Sequence, residues 1–83
     1  MKNEELEFIN RLYERSDGVQ IFNSYETPKY DIYEIGEEIG FNHDLTRNMV
    51  RYLNQVGFLI YAKSAPFISI THKGIDEIRK SSH

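Results

Sequence analysis

Three residues, Gly40-Phe41-Asn42, separate two segments of helical periodicity, and a connection that short makes a tight turn between two helices. On its N-terminal side Ile32, Ile35 and Ile39 fall within a narrow arc at about 100° per residue, with Glu34, Glu37 and Glu38 opposite. Asp31 followed three residues later by Glu34 fits a capping box, so this second helix spans about 32–39 and Gly40 ends it. On the other side Asn42 can cap a third helix over about 43–56, with Gly57 supplying the left-handed C-terminal position.

The flanking segments complete the order. Leu6, Ile9, Leu12 and Tyr13 recur at helical spacings and predict a first helix over about 4–15, stopped by Ser16-Asp17-Gly18. Phe8 lies off that stripe. Val19-Gln20-Ile21-Phe22 is β-prone, and the connection from Gly18 to Tyr30 is too apolar for a free linker. Burial under helix one or a third strand beside the hairpin accounts for it; the alternative is a subunit contact or an effector pocket near residues 18–30. Leu59–Ala62 and Phe67–Thr71 predict two strands around a Lys63-Ser64-Ala65-Pro66 hairpin loop, and Thr71 caps a last helix over about 72–80. No repeat, low-complexity tract or second-domain linker interrupts residues 1–83, which predicts one domain of α+β class, mainly α.

Composition narrows what such a domain can do. At 83 residues the chain can bury only about 60–65 % of its unfolded surface, enough for one core but not for a deep two-lobed cleft. Having no cysteine, it holds no disulfide framework and no thiolate metal site. No apolar run approaches the roughly 18 residues of a membrane span. Met1-Lys2-Asn3-Glu4-Glu5 leads into an acidic, interrupted pattern unlike a signal peptide, so the expected compartment is the cytoplasm.

The net charge of −3 conceals an asymmetry. Residues 1–40 carry four basic against ten acidic side chains, a balance of −6, whereas residues 41–83 carry six against three, a balance of +3. The basic half includes Arg47 and Arg51, one turn apart on the third helix. Val56, Met49, Leu53 and Val50 join Leu45 in an arc of roughly 140° on one side of that helix. The two arginines stand near the centre of the opposite side, flanked by His43, Asn48, Asn54 and Gln55. Guanidinium forks match guanine acceptors, and Asn or Gln can take adenine bidentately, so this face has the chemistry for reading a major groove. A solvated helix face is the plain alternative.

Two stretches resemble a known arrangement. Ile35-Gly36-Glu37-Glu38-Ile39-Gly40-Phe41-Asn42 through Arg47-Asn48-Met49-Val50-Arg51-Tyr52-Leu53-Asn54-Gln55-Val56-Gly57-Phe58-Leu59 is similar to the segment that runs from helix two through the recognition helix in regulators of the MarR-like and PadR-like kinds. Ser69-Ile70-Thr71-His72-Lys73-Gly74-Ile75 is similar to the Leu-Thr-x-x-Gly that closes the wing in those families. Together they cover about half the chain. The resemblance implies a winged helix-turn-helix: a three-helix core with a two- or three-stranded β wing and a C-terminal helix. It also implies double-stranded DNA as partner, transcription regulation as role, and Asn42, His43, Arg47, Asn48, Arg51, Asn54, Lys63, Ser64 and Lys73 as DNA-binding residues. A homodimer on a two-fold site would double the modest charge of one copy.

Two features depart from that pattern. The hairpin loop has a single base, Lys63, and helix two presents Glu34 and Glu38 one turn apart beside Glu37, where carboxylates near a DNA backbone would be repelled. A solvated acidic face explains them; so does a protein-interaction module that docks a basic protein. Lys73 and His72 open the last helix, where an ordinary polar start is the plain reading. Catalysis has no motif: His43, His72 and His83 are too dispersed for a metal pair, and no phosphate loop or nucleophile elbow occurs. No enzyme activity, cofactor or metal is expected.

Overall fold

The computed structural model describes residues 3–16, 29–62 and 66–81. Among them α1 (Asn3–Arg15) leads to a two-residue strand β1 (Tyr30–Asp31), then α2 (Ile32–Glu38), α3 (His43–Gln55), β2 (Leu59–Tyr61), β3 (Phe67–Ile70) and α4 (His72–Ser81). This is a small, mainly helical α+β domain with one antiparallel sheet ordered β1-β3-β2. Tyr30 lies opposite Ile68 on one side of β3, and Leu59 lies opposite Ile70 on the other. The only strand before α2 among the described residues is therefore Tyr30–Asp31; the expected Val19–Phe22 run, and most of the 18–30 effector region, lie outside them.

The core-facing stripe of α1 differs from the one its hydrophobicity suggests. Phe8, Ile9 and Leu12 are fully buried, with Glu5 and Ser16 on the same side, while Leu6 and Tyr13 flank the core. Phe8 thus belongs to the buried stripe, at one edge of it, rather than lying off it. Its ring stacks on that of Phe41 in the α2–α3 turn, with centroids 6.4 Å apart. Burying a side chain of that size contributes about 1.5–3 kcal/mol, enough to set the rotation of a 13-residue helix against the weaker claim of Leu6.

Helix α2 starts where Asp31 accepts a hydrogen bond from the Tyr33 amide. The reciprocal half of the capping box is missing, because Glu34 turns to Arg15 instead. Asn42 accepts from the Leu45 amide and caps α3. Gly40 and Gly57, at φ of 81° and 85°, close α2 and α3 in a region that L side chains avoid.

Thr71 joins the end of α3 to the start of α4. Its hydroxyl donates to the Gly57 carbonyl at 2.6 Å and accepts from the Gly74 amide at 3.0 Å, while its own amide donates to the Phe58 carbonyl at 3.1 Å. A Cβ on Gly74 would overlap that same Phe58 carbonyl oxygen. The Thr-x-x-Gly spacing is explained by this contact: one residue caps the helix, and the other lets the capped turn lie on the backbone beneath it. Among the described residues no helix is long and apolar enough to cross a membrane.

Candidate nucleic-acid interface

Burial of Thr46, Val50 and Leu53 turns His43, Asp44, Arg47, Asn48, Arg51, Tyr52 and Gln55 of α3 outward. Helix α2 packs against α3 with two distinct sides, and its four-residue spacing decides what each side carries. Glu34 and Glu38 share one side; Tyr33 and Glu37 share the other.

The first side is exposed, as the sequence leads one to expect, but its two carboxylates are ion-paired to α1. Arg11 and Arg15, one turn apart on α1, bind Glu38 through Arg11 Nε at 2.7 Å and through Arg15 Nη1, and Arg15 Nη2 binds Glu34. The Glu34 bond is the chief cause that raises Arg15 above the ordinary guanidinium range, and the Glu38 bond does the same for Arg11; partial burial opposes both. Arg15 also lies over the Tyr30 ring, 5.4 Å from its centroid, and its carbonyl accepts from the Tyr30 hydroxyl. The carboxylates that would repel a phosphate backbone are thus engaged within the molecule. Two acids at one-turn spacing, and two bases at the same spacing on another helix, were the sequence signal for this network.

The second side of α2 meets the start of α3. The Tyr33 hydroxyl accepts from Arg47 Nη1 at 3.4 Å, and the Tyr33 ring lies 4.4 Å from that of His43. His43 Nε2 stands 3.7 Å from the Glu37 carboxylate. Arg47 Nη2 also pairs with Asp44, one turn earlier on α3. Its pKa is raised, first by the Tyr33 hydrogen bond and last by the Asp44 charge, against partial burial. Sequence reasoning missed Tyr33. Its place one turn before Glu37 gave no hint of chemistry, since only the packing of α2 on α3 brings it to Arg47.

The remaining expected residues divide. Arg51 is exposed and forms no ion pair with any described residue, and Asn48 is exposed beside it. Asn42 is occupied by its cap, and Asn54 Nδ2 donates to the Leu59 carbonyl at 3.2 Å, holding the entry to β2; both are structural in the first instance. Lys73 extends over Phe58, with Nζ 5.6 Å from the ring centroid. Lys63 and Ser64 lie outside the described residues. Among the described residues no group of three His, Asp or Glu could hold a metal ion. Compared with protein-family models, curated proteins and solved structures, the chain matches none of them.

Proposed function

We propose that this chain is a winged helix-turn-helix domain that reads double-stranded DNA, as a small prokaryotic transcription regulator, with α3 in the major groove and the β2–β3 hairpin on the backbone. The observation that carries this reading is that two of the three glutamates of α2 are held on the α1 side. Glu34 and Glu38 are drawn onto the arginines of α1, which leaves Arg47, Asn48, Arg51 and Gln55 exposed together on α3. Recognition helices present donors of this kind to base edges and phosphates. A homodimer on a two-fold site would double the available cations.

Titration of duplex DNA at low salt tests the reading, with Arg51→Ala weakening binding to every duplex. A wild-type chain that prefers no duplex over another would contradict it.

A protein partner is the second reading, and one observation favours it. Ile60 and Phe67 are 52 % and 40 % exposed on the outer face of the sheet, where Ile60 lies opposite Ser69 and Phe67 two residues along from it. Sedimentation at rising concentration, with and without Ile60→Lys, shows whether a second copy covers this face.

A further inference from the structure

The two arginines of α3 differ in how they are held, and the geometry points to a division of labour between them: Arg47 is the specificity-determining residue, reading the O6 and N7 acceptors of a guanine, with Tyr33 and Asp44 as its positioning residues, while Arg51 supplies charge to the phosphates. This inference rests on the DNA-binding reading above and adds to it which group reads a base, which base it reads, and what holds that group in place.

Bidentate recognition needs a guanidinium plane of fixed orientation. Arg47 is tethered at two points, to the Tyr33 hydroxyl on α2 and to Asp44 on its own helix, and Tyr33 is itself packed against the His43 ring. Two of its five donors are used, one on each terminal nitrogen, which leaves three donors for a base edge. Asp44 also offsets its charge, so Arg47 contributes little to the general pull of the phosphates. Arg51 has the opposite properties: it is exposed, unpaired with any described residue, and untethered. An untethered cation can follow a phosphate in any sequence, and counterion release then makes its contribution salt-dependent. Position agrees, since the N-terminal residues of a recognition helix contact base edges and Arg47 lies one turn nearer that end.

The test is a panel of duplexes built from the preferred site, each position varied in turn, titrated at several salt concentrations against wild type, Arg47→Lys, Tyr33→Phe, the double variant of these two, Asp44→Asn and Arg51→Ala. Arg47→Lys keeps the charge and loses the fork; it should reduce the preference for guanine at one position by about 5- to 140-fold and leave the salt slope unchanged. Tyr33→Phe should reduce the same preference by about 2- to 10-fold, and by nothing further when Arg47 is already Lys. Asp44→Asn, on an exposed residue, should raise affinity for all duplexes while flattening that preference. Arg51→Ala should lower the salt slope by about 1 and keep the preference. If wild type selects a site but Arg47→Lys, Tyr33→Phe and Asp44→Asn keep its full preference profile, the division of labour is wrong and the DNA-binding reading stands. If wild type shows no preference, both are overturned.

Discussion

A Cβ on Gly36 would overlap the Thr46 hydroxyl, so α2 and α3 meet at a point where one helix must lack a side chain. Thr46 Oγ1 is buried there, with no hydrogen-bond partner among the described residues.

This contact predicts opposite outcomes for two small changes. Gly36→Ala gains helix propensity but forces α2 from α3, and should destabilise the fold by about 1–3 kcal/mol. Thr46→Val removes the unpaired hydroxyl at similar shape and should be stabilising by about 1 kcal/mol. Thermal melts of the two variants check both signs.

The ion pairs between α1 and α2 predict a salt-sensitive stability. Glu38→Lys places a cation beside Arg11 and Arg15, and should lower the melting temperature in dilute buffer. The gap from wild type should narrow in about 1 M salt, where charges are screened beyond about 3 Å. Because both guanidinium pKa values are raised, the arginines' contribution is fully present below their ordinary unfolded-state value and is lost only as pH rises through the folded one. Melts between about pH 7 and about pH 11 should therefore show no loss from this source.

Thr71 holds Gly57, Phe58 and Gly74 at once. Thr71→Ala loses the cap and the bond to Gly57, and should cost about 1–2 kcal/mol, whereas Thr71→Ser keeps the hydroxyl and most of the stability. Urea unfolding of the two variants separates the hydroxyl from the methyl group.

Which of these features could be read from the sequence depends on the range of the cause. Asn42, Gly57 and the cap that Thr71 gives the Gly74 amide act within a few residues, and both the capped start of α3 and the start of α4 follow from them; the bonds from Thr71 to Gly57 and Phe58 span 13 or more positions. The rotation of α1 depends on Phe8 meeting Phe41, 33 positions away, and a local hydrophobic stripe does not contain that contact. Strand β1 exists because Tyr30 pairs with Ile68, so nothing in Tyr30-Asp31 alone marks it as a strand. The arginines of the candidate interface were legible as an exposed face. That Arg47 is held by Tyr33, and that Glu34 and Glu38 are engaged by α1, required the helices to be packed.

Selection of bound sequences from random duplexes at low salt, with wild type and Arg51→Ala in parallel, tests the central claim most directly. The account predicts that wild type enriches a defined site containing a guanine, and that Arg51→Ala enriches the same site while binding every duplex more weakly. Enrichment of no sequence by the wild-type chain would contradict it.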